Sequence, residues 1–367
     1  MGFIIYALSL SIFIYGAVRM KRRPTQLDVA TLAGVSPGIV STIINNRTNG
    51  NIRISEATQQ RVLDAIKELG YVPNPVARSL AGGQNRLLGV FTYEALFPLE
   101  YRNFYYEFLI GIEKEAEIQD YNLLFFTRRQ GTQKRVIYQN GVNSLQLADG
   151  AILLGLGTDR EELARLNNEG YPFVFIGRRE IKNGQISYVA ADYKRATREI
   201  VEYTINKGHR RLALVQGSLR AEPQLDKQAG YCDATALNGL NESLAEIHYK
   251  ENDQITVEWL KMLFDKGVTA FIVESTSEAK RLAAVAAQLG KHAPADFSYA
   301  ILGDPMNLEE IIPDATTYRT PRQEMGAQAV RLLCEILTAG GEIEPRQVIL
   351  PCHFQPGNTV GAPSHPA

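Results

Sequence analysis
The segment TQLDVATLAGVSPGIVSTIINN, Thr25 to Asn46, constrains this chain more than any other. It spells two short helices joined by a tight turn. Thr25 is placed to cap the first helix, and Asp28, three residues on, closes a capping box with it. Val29, Ala30, Leu32 and Ala33 give that helix an apolar face. Gly34 stands at the corner, where a positive φ is needed and glycine adopts it without strain. Ser36 can cap the second helix, and Pro37 suits its first position, where a backbone N–H has no partner to lose. Val35, Val40, Ile43 and Ile44 then turn toward the first helix. A small residue, a corner glycine four on and an apolar residue six further pack two helices at a steep angle. Such a pair either lays its second helix in the major groove of DNA or is an ordinary helical corner.

The next forty residues bear on the choice. SEATQQRVLDAIKELG, from Ser55, is a third helix with Val62, Ala65, Ile66 and Leu69 on one face and Gly70 as its stop. In YVPNPVARSLAGG, Pro73 and Pro75 break the chain, Asn74 and Pro75 can cap and start a short helix through Leu80, and Gly82 and Gly83 end it. With DVATLAGVSPGIVSTIINN ahead of these two stretches, the chain resembles the lactose/purine repressor family of bacterial transcription regulators. The motifs FYYEFLIGIEKEAE, LADGAILLG, YPFVFIG and ADYKRATREIVEYTINKGHRRLALVQG extend the resemblance from Pro24 to about Val360.

Charge supports a nucleic-acid-binding head. Between Met20 and Arg86 nine Lys/Arg face four Asp/Glu, a surplus of five; the whole chain carries −1, so the remainder stands near −6. A solvated helical surface is the plain alternative. Three widely separated cysteines (Cys232, Cys334, Cys352) among 367 residues show no metal spacing and fit a reducing cytoplasm. Residues 2–18 form an uncharged apolar run, and RMKRR comes directly after it. That run is marginal for a membrane span, and its basic cluster lies on the wrong side for a cleaved signal. We read 1–19 as an extension upstream of a natural start at Met20, with a membrane tether as the alternative.

Beyond Arg86, apolar runs alternate with amphipathic helices, which implies parallel sheets covered on both faces. The strands are LLGVFT, NLLFFT, GAILLG, FVFIG, RLALVQG, AFIVE, SYAILG and VILP. The run is too long for one sheet. The expected architecture is therefore α + α/β: a helix-turn-helix headpiece (20–72), a hinge helix (73–86) and an effector-binding, dimerising body (87–362) of two doubly wound parallel sheets. The resemblance makes that body periplasmic-binding-protein-like, with lobe 1 at about 87–188 and 317–342 and lobe 2 at about 189–316 and 343–362. It also implies a small molecule clamped between the lobes.

A groove-lying helix reads bases with its first turn and the turn after. Here that means Pro37, Gly38 and Thr42. Pro37 can touch a thymine methyl, Gly38 permits close approach, and Thr42 can donate, accept or present its methyl. Candidates for phosphate contacts are Thr25, Ser36, Ser41, Asn45, Arg53 and Ser55, with Arg47 beside them; plain capping is the alternative for each. The resemblance implies that Leu80, ending the hinge helix, wedges between minor-groove base pairs and kinks the duplex. It implies a homodimer on a near-palindromic operator. The final stretch GNTVGAPSHPA carries no leucine heptads, so a dimer and not a coiled-coil tetramer is expected.

The effector site departs from the family. Where an arginine commonly grips the ligand, KQAGY places Lys227, a point charge and not a fork. The asparagine–aspartate pair is replaced by Glu274 and Ser275, and Asp304 comes just after SYAILG. The candidate pocket is Tyr93, Glu94, Phe104, Tyr105, Arg178, Lys227, Glu274, Ser275 and Asp304, a mixture of aromatic faces and hydrogen-bonding groups that suits a carbohydrate-like ligand. Each aromatic has a core role, and each charge a surface role, as its alternative. No phosphate loop, nucleophile elbow, metal or cofactor motif is present, so an enzyme is not expected. His209, just before a strand, reads as structural. An exported small-molecule-binding protein without a DNA role shares the two-lobe fold, but the basic headpiece argues against it.

Overall fold
The computed structural model describes residues 22, 24–44, 54–72, 85–95, 102–128, 135–305, 311–340 and 344–364. The chain divides into two compact units, Met1–Asn85 and Arg86–Ala367.

In the first unit, α1 (Gln26–Ala33) starts at the expected capping box. The Thr25 N–H and hydroxyl both donate to the Asp28 carboxylate at 2.7 Å, and the Asp28 N–H donates back to the Thr25 hydroxyl. Gly34, at φ 65°, ends the helix. The chain then bends by 105° into α2 (Pro37–Ile44), within the range of DNA-binding helix pairs. α3 (Glu56–Leu69) is capped by Ser55 and stopped by Gly70. Val29, Ala30, Ala33, Val40, Val62 and Ala65 form the buried core. Leu32 departs from its expected inward role and is 46% exposed. At 100° per residue it lies roughly 100° around the helix from the middle of the Val29–Ala30–Ala33 stripe.

The second unit carries two parallel sheets. Lobe 1 is built on β1 (Leu87–Thr92), β2 (Asn122–Phe126), β5 (Gly150–Leu154), β6 (Phe173–Ile176), β7 (Tyr188–Ala191) and β13 (Gln347–Leu350), in the order β13–β7–β6–β5–β1–β2. A small hairpin, β3 (Tyr138–Gln139) and β4 (Val142–Asn143), precedes β5. On one face α4 (Arg102–Ile118) and α10 (Arg322–Thr338) bury Phe108, Ile112, Val330 and Leu333 against Val90 and Ile152. On the other, α5 (Arg160–Asn168) covers Phe91, Leu153 and Phe175.

Lobe 2 has β8 (Leu212–Gln216), β9 (Ala245–Tyr249), β10 (Ala270–Val273) and β11 (Ser298–Ile301), in the order β11–β10–β8–β9. Its sheet lies between α6 (Tyr193–Asn206) with α7 (Glu222–Leu237) and α8 (Val257–Asp265) with α9 (Thr276–Gln288). β12 (Thr317–Arg319) and β14 (His353–Gln355) pair antiparallel beside it.

Three expected lobe boundaries move. Residues 188–191 finish the lobe 1 sheet, 317–319 pair on the lobe 2 side, and 347–350 return to lobe 1 as a parallel partner of β7. The chain therefore passes between lobes after Ala191, Arg319 and Leu350. These strands are short, and their partners are remote in sequence, so local pattern carries no trace of the pairing.

His209 takes the structural part expected of it. It is fully buried, with Nδ1 2.8 Å from the Thr269 hydroxyl and Nε2 3.0 Å from both Ser298 Oγ and the Gly361 carbonyl. A carbonyl only accepts, so we assign the proton to Nε2 and let Nδ1 accept from Thr269. Burial pulls the pKa below the ordinary 6.5. The folded state thus resists protonation that the unfolded chain accepts. This stabilisation is complete above about pH 6.5 and is lost as pH falls through the lowered folded-state value. The body should melt earlier at pH 5 than at pH 7.5, and His209→Gln should reduce that difference. Equal pH dependence of the two melting curves by circular dichroism would count against the assignment.

Candidate DNA-reading and effector-binding sites
On α2, Pro37 and Gly38 are exposed and Thr42 is half-buried. The Thr42 hydroxyl donates to the Gly38 carbonyl at 2.9 Å. Gln26 Nε2, reaching from α1, donates to the Pro37 carbonyl at 2.8 Å and ties the two helices together at the reading end. Ser36 Oγ accepts from the Ile39 N–H, and Ser55 Oγ from the Thr58 N–H. Thr25, Ser36 and Ser55 are therefore helix caps, and a phosphate contact by any of them must share the hydroxyl with the cap. Ser41 is half-buried. Asn45, Arg47, Arg53 and the wedge candidate Leu80 lie outside the described residues.

Gly38 has room for a side chain: a Cβ there would meet only Ser36 Oγ, at 3.8 Å. Alanine is the better helix former by up to about 1 kcal/mol. Gly38→Ala should therefore raise the thermal stability of the headpiece while lowering affinity for DNA, if the glycine serves close approach. A variant that gains stability and keeps full affinity would remove Gly38 from the reading surface.

In the body, the sequence candidates separate into two groups. Tyr93 packs edge-on against Phe91 beneath α5, and burial holds its hydroxyl pKa far above the usual range. Glu94 is committed to the fold: Oε1 accepts the N–H groups of Leu156 (3.0 Å) and Gly157 (2.6 Å), and Oε2 accepts the buried Tyr105 hydroxyl at 2.6 Å. Ser275 caps α9 in a capping box with Glu278. Arg178 grips Asp226 of α7 with both arms, at 3.0 and 2.8 Å. These five residues are held by the protein itself.

Lys227, Glu274, Asp304 and Phe104 remain, near the three lobe crossings. Lys227 Nζ lies 3.8 Å from Glu274 and over the Tyr193 ring. Asp304 accepts the Thr320 N–H at 2.8 Å. Arg322, which opens α10, lies over the Phe104 ring of lobe 1 and 3.8 Å from Asp304 of lobe 2. Its side chain is 9% exposed, and its Nε has no hydrogen-bond partner among the described residues. Cys352, in the third crossing, feels Asp304, Asp192, Lys227 and Arg322, and burial pushes its thiol up to about 12.

Two loose ion pairs and a buried donor without an acceptor are what a hydroxyl-rich molecule can complete. Sequence reasoning missed Arg322. Its signal was a cation on the first turn of a helix, where the macrodipole disfavours it.

Beside this cluster runs a second cross-lobe contact. Arg179 is 5% exposed and Glu222 is 3% exposed. Arg179 donates to the carbonyls of Gly155 and Arg178 and lies 3.6 Å from the Glu222 carboxylate. Glu222 also takes Arg160 at 2.9 Å and the Glu180 N–H at 3.1 Å. Burial lowers the Arg179 pKa, and Glu222 opposes that shift. An open groove of about 650 Å³ lies elsewhere in this unit, between the outer face of α4 and the β2 edge.

A helix-turn-helix with an exposed second helix, on the same chain as a two-lobed body with converging charges, defines a DNA-binding transcriptional regulator controlled by a small molecule. Residues 25–74 match the model for bacterial regulatory proteins of the lacI family, and 201–360 match a periplasmic binding protein-like domain. The chain is 30% identical over 348 residues to the HTH-type transcriptional regulator CelR of Thermobifida fusca, covering 91% of this chain and 97% of that protein. It is 31% identical over 320 residues to catabolite control protein A of Priestia megaterium, covering 85% and 92%. The chain belongs to the lacI family. Among solved structures, a CelR–cellobiose complex aligns with a TM-score of 0.59 at 27% identity, covering 92% of this chain and 100% of that one. The lac repressor dimer bound to operator and an anti-inducer shares the fold, with a TM-score of 0.67 at 21% identity and coverage of 93% and 100%.

Proposed function
We propose that the protein is a cytoplasmic homodimeric repressor that binds a near-palindromic operator and responds to a carbohydrate-like effector in the cleft between its lobes. The observation that carries the effector half is Arg322, a buried guanidinium touching both lobes at a chain crossing and incompletely paired among the described residues. Phe104, Lys227, Glu274 and Asp304 complete the candidate set, and the cellobiose held by the CelR relative supports a sugar. The chain acts by binding and not by catalysis. Leu80 is the proposed minor-groove wedge and rests on the family resemblance.

Effector binding would change the angle between lobes and so the spacing of the two hinge segments, with a coupling of about 1–3 kcal/mol. Fluorescence anisotropy tests the reading. The chain is titrated onto duplexes from its own upstream region at several salt concentrations, with and without neutral disaccharides. Selective binding that falls steeply with salt, weakens in Leu80→Ala and shifts with a sugar only when Arg322 is intact is the expected result. Binding indifferent to sequence at every salt concentration would sink the regulator reading. A sugar response that survives Arg322→Ala would move the effector site.

A further inference from the structure
We propose that α2 reads thymine through its 5-methyl group. The inference rests on the chain being a DNA-binding regulator and adds what its reading helix recognises. A helix entering the major groove presents its first turn and the residue one turn on. Here these are Pro37, Gly38 and Thr42, with Gly38 and Thr42 stacked on one face at i and i+4.

Pro37 has neither an N–H nor a polar side chain, and Gly38 has no side chain. Thr42 has a hydroxyl, but its proton is donated back along the helix to the Gly38 carbonyl at 2.9 Å, so the side chain offers a methyl and no free donor. Two neighbouring polar side chains each have one group engaged. Gln26 donates to the Pro37 carbonyl at 2.8 Å, and Ser36 Oγ accepts the Ile39 N–H.

At positions 37, 38 and 42 the surface offered to the base edges is thus ring methylenes, bare backbone, a methyl and a hydroxyl whose proton is already given. Guanine, adenine and cytosine show donors and acceptors to the major groove, whereas thymine alone adds a methyl. A guanine edge, which shows only acceptors, loses water against these three positions and gains no side-chain donor, so it is disfavoured. A thymine methyl is covered by like groups.

The test begins with selection of preferred duplexes by the full chain from a random pool. Each thymine in the selected half-site is then replaced by uracil, which removes the methyl alone. Uracil opposite Thr42 or Pro37 should weaken binding roughly three- to fivefold per half-site, and uracil elsewhere should not. Thr42→Val keeps the methyl and removes the hydroxyl, so it should preserve the preference for thymine over uracil. Thr42→Ser keeps the hydroxyl and removes the methyl, so it should abolish that preference at its position. Selective binding that is indifferent to uracil, or that selects guanine or adenine at those positions, overturns the proposal and leaves the regulator reading intact. A pool from which no sequence is enriched overturns both.

Discussion
Glu222→Gln should loosen the closed arrangement of the body. The wild-type carboxylate is 3% exposed and joins lobe 2 to Arg179, Arg160 and the Glu180 amide of lobe 1. Removing one member of a buried pair leaves the other charge uncompensated, typically at about 3–5 kcal/mol. Arg179 retains the carbonyls of Gly155 and Arg178, so the lower end applies. Even there, the balance between closed and open lobes moves by roughly a hundredfold. Because the contact crosses between lobes, the loss falls on closure before it falls on either fold. Small-angle scattering should give a larger radius of gyration for Glu222→Gln, and the effector-dependent change in operator affinity should shrink. Asp226→Asn breaks the more exposed pair with Arg178 and should move both readouts less. Scattering identical to wild type would mean that the lobes are held by packing and not by this contact.

Gly111→Ala should damage lobe 1 most among single-methyl changes. Gly111 lies on α4 where α10 crosses it, and an added Cβ would overlap the Gln323 carbonyl oxygen outright. The reciprocal position is also glycine: a Cβ on Gly326 would overlap the Phe108 carbonyl oxygen. Both obstacles are backbone, which cannot rotate aside, so the helices must separate and carry Phe108, Ile112, Val330 and Leu333 with them. Overpacking commonly costs about 1–3 kcal/mol, and a backbone-to-backbone crossing belongs at the top of that range. Circular dichroism should show lobe 1 melting several degrees earlier, with Gly326→Ala behaving alike. A variant that melts with wild type would show that this crossing relaxes freely.

Much of the headpiece was legible because its signals are local. Thr25 with Asp28, Ser36, Gly34, Ser55 and Gly70 each act within a few residues of their own helix ends, and a sequence displays such neighbours directly. Most of the body's apolar strands were legible for the same reason, but YVAA of β7 and the more polar AEIHY of β9 were passed over. Contacts between distant segments were not. Tyr188 and Gln347 meet across 159 positions, and nothing in YVAA or QVIL announces it. Arg322 gains its meaning from Phe104 and Asp304, which belong to different lobes. Tyr93 was taken for a pocket wall although its parity with Phe91 along β1 turns it beneath α5; strand alternation was present and went unused. Glu94 was placed in the candidate pocket, but it accepts backbone amides after a different strand, which makes it a brace for that loop.

The path of β13 bears on how the protein is made. Lobe 1 begins at Leu87, yet α10, which fills one face of its core, and Gln347–Leu350, which close its edge, come near the end of the chain. Most of lobe 2 is encoded before Gln347. A growing chain on the ribosome therefore holds the first lobe as an unfinished sheet, with β7 an open edge and the Val90–Ile152 face covered by α4 alone, while the second lobe is translated. Open edges and bare apolar faces invite pairing with other chains. The architecture that lets three crossings govern one cleft also leaves the first lobe unfinished until the chain is nearly complete.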